Sequence, residues 1–407
     1  MAGKKVLILG GGWGGLTLAH HLRGLLPSEH RIVVFERRDS FSLYVSYLWL
    51  MTGEREGPEQ ITRAMRTLKR AGIELVPDEV RLLEPAARVV ETDGGRMAGD
   101  YVVIALGAEL SPESVSGFQD AAHNLYELDG AASLRDALRR FDGGKIVVLI
   151  TGVPFRCPAA PYEAAMLIEA LTRAAGTRSQ AEIALYTPEV QPMAVAGPAV
   201  GNALESMLEE RDIGFFPQHA VTGIEAERGT LHFGDTTVPY DLLVGIPPHR
   251  ASALVRDAGL IDGTGYVPVH PQTLEILSDV DTLETRYPNV FAIGDVTSIR
   301  LLNSMLLPKA GVFAEGQAHA VAARIAADIS GDPAPRGYDG AGFCYVEVGE
   351  GMAAYGSGDF YAFPGPRVTL EAPTREARQA KEEYERLLDA WFNPPEGRSD
   401  PVRSTGA

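Results

Sequence analysis

Only two cysteines, Cys157 and Cys344, occur in 407 residues, too few for a disulfide-stapled scaffold or a cysteine-built tetrahedral zinc site. The nine histidines show neither HxH nor HExxH spacing, and the neighbours His20 and His21 would leave a helix in different directions, so no metal centre is expected. Positive charge is short as well: 37 Lys and Arg face 54 Asp and Glu, a net charge of −17, which repels polyanions and excludes nucleic acid as a partner. Long hydrophobic runs are missing. Stretches such as Leu43 to Met51 and Ile146 to Ile150 fall far below the roughly 18 residues that span a bilayer, so membrane contact is expected to be peripheral at most. A strand pattern begins at Lys5, with no room before it for a signal peptide. That reading puts the chain in the cytoplasm or at the cytoplasmic membrane face, and in the periplasm only if a leader has been removed.

What is present is globular. Apolar residues make up 45% and charged residues 22%, and glycine, at 44, is plentiful; with about 150 residues per domain, two or three domains are expected. Residues 4–36 read as one β-α-β unit: the strand KVLIL, a turn opening into the helix GGGWGGLTLAHHLRGLL, then the strand RIVVFE ending on Glu36. Gly10, Gly12 and Gly15 fit G-x-G-x-x-G, which lets a pyrophosphate approach backbone N–H groups at a helix N-terminus. Glu36 follows about 20 residues on, where an acid accepts ribose hydroxyls. The unit binds a dinucleotide.

Two later strands end on the same side of that sheet. DYVVIALGA stops at Gly107 after Ala105, and RYPNVFAIGDVTS ends at Gly294 and Asp295; an aspartate at the carboxyl end of a parallel strand points into the ligand crevice. These residues resemble the two-dinucleotide-binding-domain flavoproteins, whose N-terminal fingerprint holds FAD. The resemblance implies a non-covalent FAD site on Gly10, Gly12, Trp13, Gly14, Gly15, Glu36 and Arg37, continued by Val80, Ala105, Gly107, Gly294 and Asp295; Leu106 departs from the family's threonine. A helix over 308–328 starting just after Lys309 would set a cation and a helix N-terminus against the negative charge of a reduced flavin.

A second nucleotide-binding strand, KIVVLI, leads into TGVPFRCPAAPYEAA, where one glycine and three prolines replace the N–H cradle that a nicotinamide dinucleotide needs. The same loop holds Cys157, just upstream of a helix that Pro161 can open, where a thiolate is favoured. Cys344 begins the hairpin FCYVEV-GEG-MAAYG. Residues 374–392 form an amphipathic helix with Ala377, Ala380, Tyr384, Leu387, Leu388, Trp391 and Phe392 on its apolar stripe, and Arg375, Arg378, Lys381 and Arg386 among the acids of its polar face. The tail from 393 is polar and expected to be disordered.

The stretch FRCPAAPYEAA is similar to the redox loop of the flavoprotein subunit of flavocytochrome c sulfide dehydrogenase, which reads close to FRCPPGPYE, and more distantly to the sulfide:quinone oxidoreductases. LPKAGVFAEGQAHAVAARI and FCYVEV continue the likeness. Ala159 and Ala160 stand where the cytochrome-linked enzymes have proline and glycine, and the third cysteine of many sulfide:quinone oxidoreductases is missing. The resemblance implies that Cys157 and Cys344 form a redox disulfide or polysulfide bridge over the flavin, that Glu163 serves as acid and base, and that sulfide, or another small sulfur substrate, passes electrons through FAD to a quinone or cytochrome c. Two other readings remain: a type II NADH:quinone oxidoreductase, and an FAD redox sensor without turnover. The expected fold is α/β, with two Rossmann-like domains and a smaller C-terminal region. Residues 1–110 and 246–330 form the FAD domain, 111–245 a degenerate second domain carrying the Cys157 loop, 331–392 a hairpin and helix, and 393–407 the tail.

Overall fold

The computed structural model describes residues 3–282 and 284–392; the tail expected to be disordered lies outside them. Two five-stranded sheets, each wholly parallel, carry the architecture. In the first, strands Val290–Ala292, Tyr101–Ile104, Lys5–Leu9, Arg31–Phe35 and Glu74–Val76 lie side by side in that order, with Val6 between Ile32 and Tyr101 in register. The second runs His123–Asn124, Leu242–Ile246, Gly144–Ile150, Ala181–Tyr186, Ile213–Phe216, with Val148 paired to both Leu185 and Val244. The apolar runs legible in the sequence become these central strands because both faces of a parallel sheet are covered. Val6 to Leu9 and Ile146 to Ile150 are all completely buried.

A tight turn, residues 10–12, joins strand Lys5–Leu9 to helix Trp13–Leu25. Gly10 takes φ +108°, open to glycine and strained for other residues. At Gly15 a Cβ would stand 2.0 Å from the Gly10 carbonyl oxygen, so the third glycine of the fingerprint lets helix and turn pack. Helix Gly311–Ser330 lies against Trp13–Leu25 and covers the first sheet through Phe313, Ala318, Val321, Ala322 and Ile325. Strand Gly144–Ile150 is handled differently. Residues 151–159 form a long loop before helix Ala160–Ala174 begins.

The third layer is an antiparallel sheet of Ala341–Gly349, Met352–Asp359 and Arg367–Leu370. Cys344 is the fourth residue of its strand, paired with Gly356, and not at its start, where the sequence pattern puts it. The C-terminal helix Arg375–Phe392 packs inward: Trp391 and Phe392 join Trp13, Leu16, Phe41 and Leu68 in one cluster, and Trp391 meets Trp13 edge-on at 5.9 Å. Side chains at 387–390, including Leu387 and Leu388 of the expected stripe, lie outside the described ones. The polar face of this helix is not wholly solvated. Arg378 and Lys381 are each 5% exposed, because buried carboxylates from two other elements meet them. No helix among the described residues is long and apolar enough to cross a membrane.

Candidate active site

One cavity of about 1450 Å³ runs between the first sheet, the Cys157 loop and the antiparallel layer, larger than the roughly 300–1,000 Å³ that houses one small ligand. Gly10, Gly12, Trp13, Gly14, Glu36, Arg37, Val80, Ala105, Gly107, Gly294 and Asp295 line it, and so do Cys157, Glu163 and Cys344. Two candidates from the sequence do not. Gly15 sits behind the turn as a packing residue. Lys309 is buried beneath the wall, its Nζ donating to the carbonyls of Asp295 (2.6 Å) and Thr297 (3.2 Å) and lying 3.3 Å from the centre of the Tyr266 ring. Burial pulls its ammonium down to about 8, with Asp295 opposing.

At one end of the cavity Glu36 is held by its own chain. Oε2 accepts from Gly11 N (2.9 Å) and Arg38 Nη2 (2.8 Å), Oε1 from Arg38 N and Nε (both 2.9 Å). Burial disfavours the carboxylate, but the Arg38 hydrogen bonds and charge, with the Gly11 N–H, outweigh it and hold Glu36 below the usual range. A ribose hydroxyl arriving there would share acceptor sites already taken by Arg38. Gly107 and Gly294, at φ +68° and +75°, turn the chain at the ends of their strands, and Gly294 N donates to Gln317 Oε1 at 2.7 Å. The buried hydroxyl of Ser252, on the same cavity, has no partner within the protein. Glycine turn, bonded acid and orphaned hydroxyl fit a flavin dinucleotide.

At the other end the two cysteines meet. The Cys157 loop is pinned to the segment before helix Gly311–Ser330: Cys157 N donates to Lys309 O at 2.7 Å, Arg156 and Lys309 form a parallel bridge, and Tyr126 OH donates to Cys157 O at 3.2 Å. Arg156 lies over the rings of Tyr44 (4.1 Å) and Tyr126 (5.3 Å). Cys157 and Cys344 are half-buried free thiols close enough for the charge of one to disfavour ionisation of the other. The expected thiolate at Cys157 is not favoured. Desolvation, with Glu163 adding to it, pushes its thiol up to about 12, and Cys344 is raised for the same reasons; Cys157, at φ +50° and three residues before the helix, gains too little from the helix end to offset burial.

Glu163, in the first turn of helix Ala160–Ala174 and 2% exposed, accepts at Oε1 from Lys381 Nζ (2.7 Å) and Glu347 N (2.9 Å). Lys381 Nζ also lies 2.7 Å from Glu347 Oε1. Glu347 Oε1 takes Trp49 Nε1 at 2.7 Å, and its Oε2 pairs with Arg378 Nε at 2.8 Å. The sequence motifs do not mark Lys381, Glu347, Arg378 or Trp49 as part of this site. One signal was available for Lys381: it follows Ala377 by four residues and precedes Tyr384 by three, which puts it on the inward stripe.

A family model described as pyridine nucleotide-disulphide oxidoreductase matches residues 4–324. The mouse mitochondrial sulfide:quinone oxidoreductase is 27% identical over 72% of this chain and 66% of its own length, so the chain spans just under two thirds of that relative. The sulfide-quinone reductase of Aquifex aeolicus is 25% identical over 89% of this chain and 84% of its own. The X-ray structure of the sulfide:quinone oxidoreductase from that bacterium superposes with a TM-score of 0.82, covering 96% of this chain and 92% of the other at 25% identity.

Proposed function

The chain belongs to the pyridine nucleotide-disulphide oxidoreductase family, whose members bind FAD, and we propose that within it this protein oxidises sulfide through Cys157 and Cys344 and delivers the electrons through FAD to a quinone or cytochrome c. The observation that carries the reading is that two cysteines far apart in the chain, with one buried glutamate, line the same cavity as the dinucleotide turn. The likeness to sulfide:quinone oxidoreductases supports it. So does the loop 151–159, where Pro154 and Pro158, with Pro161 opening the helix that follows, replace the short glycine turn of a nicotinamide site.

In the oxidised state the two cysteines are joined as a disulfide. Hydrosulfide attacks one sulfur, the S–S bond breaks, and the products are a persulfide on one cysteine and a thiolate on the other. Glu163 accepts the persulfide proton. FAD supplies the two-electron acceptor when the thiolate and persulfide close to a bridge longer by one sulfur atom. The sum is one hydrosulfide consumed, one sulfur atom gained, and one proton and two electrons released.

The test is an anaerobic visible spectrum with sulfide added to one sample and NADH to another. Bleaching of the flavin by sulfide alone is expected. Bleaching by NADH alone would replace this reading with a nicotinamide-linked quinone reductase, and a flavin that neither reagent reduces would point to a sensor without turnover.

A further inference from the structure

Four ionic side chains are buried together beside the cysteine pair. Glu163 comes from helix Ala160–Ala174, Glu347 from the strand that carries Cys344, and Arg378 and Lys381 from the C-terminal helix; each is 5% exposed or less. Charges removed from water persist only when paired with good geometry, and here the two cations balance the two carboxylates. Their roles differ. Glu347 is held at both oxygens, by Lys381 and Trp49 on Oε1 and by Arg378 on Oε2. Arg378 in turn stacks 4.5 Å from the Trp49 ring centre and reaches Glu382 at 2.6 Å and Glu54 at 2.5 Å, near the surface. That part of the cluster anchors the helix. Glu163 and Lys381, by contrast, both line the cavity with the two cysteines, and the bonds from Lys381 and from Glu347 N to the Glu163 carboxylate both fall on Oε1.

We propose that Lys381 is a positioning residue of the reaction: inserted by the C-terminal helix, its ammonium holds Glu163 ionised and aimed at Cys157 and Cys344, so that Glu163 takes the proton released there. The proposal rests on the reading that these cysteines react. Burial acts on Glu163 first and raises its carboxyl, Lys381 opposes that, and Glu347 adds to it. The groups facing Glu163 are Lys381, with Arg378 behind it, on the C-terminal helix; Glu347 and Cys344 on their strand; Cys157 on its loop; and Tyr126, whose phenol is disfavoured from ionising by the Glu163 charge. Among these only Lys381 both touches the Glu163 carboxylate and carries positive charge. Without it, two buried carboxylates would compete, and Glu163 would hold its proton to higher pH.

The experiment uses FAD-loaded protein, reduced with dithiothreitol under argon and desalted, and follows iodoacetamide alkylation of the two cysteines by mass spectrometry between pH 5 and 10. In the parent protein the rate is expected to fall on an acidic limb set by Glu163. Lys381→Met should move that limb up by at least about one pH unit, a tenfold loss of rate at a pH on the limb, while Lys381→Arg should leave it near its original position. Glu163→Gln should remove the limb, and adding Lys381→Met to Glu163→Gln should leave it absent, changing the rate only through the direct pull of the ammonium on the two thiols. If Lys381→Met does not retain flavin absorption, Glu163→Asp, which withdraws the carboxylate from the ammonium, should give the same upward shift. A limb indifferent to Lys381, or an equal effect of Lys381→Met with and without Glu163, overturns the proposal. Sulfide is added to the parent protein in parallel: a limb that obeys Lys381 with no bleaching by sulfide removes the sulfide reading and keeps the positioning role, and bleaching with an indifferent limb does the reverse.

Discussion

The backbone N–H of Glu347 donates to Glu163 Oε1 at 2.9 Å. Glu347 is three residues along the strand from Cys344, and Glu163 stands six residues beyond Cys157 at the head of the following helix. This bond therefore ties the element carrying one thiol to the element carrying the other. One buried carboxylate thus couples the two elements that carry the cysteines.

Glu347→Ala would leave Lys381 with one partner and deprive Arg378 Nε and the Trp49 N–H of theirs. Breaking a buried ion pair on one side costs about 3–5 kcal/mol, so urea unfolding of this variant should have a midpoint lowered to match, with an unchanged slope.

Cys157→Ser and Cys344→Ser each keep the cavity wall and the glycine turn. Both variants should hold flavin with a normal visible spectrum and lose bleaching by sulfide. Bleaching retained in either variant would exclude a disulfide route.

Gly15→Ala sets a Cβ 2.0 Å from the Gly10 carbonyl oxygen, a backbone atom that cannot step aside without opening the turn. The variant should be purified without flavin absorption and should fail to take up added FAD.

The depressed carboxyl of Glu36 makes a prediction for the flavin-free protein. Its ionised form is favoured by folding, so its contribution is complete above an unfolded value of about 4.3 and is lost as the pH falls through the lower folded value. Thermal melts of the flavin-free chain should weaken below about pH 4.3, and Glu36→Gln should be less stable at neutral pH with a shallower acid dependence.

Trp391→Ala empties a site 6% exposed between Trp13, Phe41 and Phe392. Truncating a buried aromatic costs about 3–5 kcal/mol. Because Trp13 also lines the cavity, the loss should appear both as a lower melting temperature and as faster release of flavin.

Much of the site could be read in the sequence because its signals are local. The turn at Gly10, Gly12 and Gly15, the acid at Glu36, and the strand ends at Gly107 and Gly294 each depend on a few consecutive residues whose backbone needs are met within one β-α unit. All but Gly15 reach the cavity, and Gly15 fails only because its part is to let helix and turn close together. The helices at 160, 311 and 375 were equally legible from period and proline.

What the sequence by itself determined is the two parallel sheets, the dinucleotide turn and the identity of the two cysteines and the glutamate between them. Tertiary structure alone decided their chemistry. Whether Cys157 favours a thiolate depends on how much water reaches it, and burial, with Glu163 beside it, reverses the effect expected from a helix end. Whether Lys309 faces the ligand depends on the two carbonyls that turn its ammonium away. Lys381 looked like a solvated charge; it lies 218 residues from Glu163 in sequence, and no local pattern could announce that two carboxylates would be waiting for it in the interior. Ionisation and burial are set by neighbours in space, and the chain brings those neighbours from separate elements.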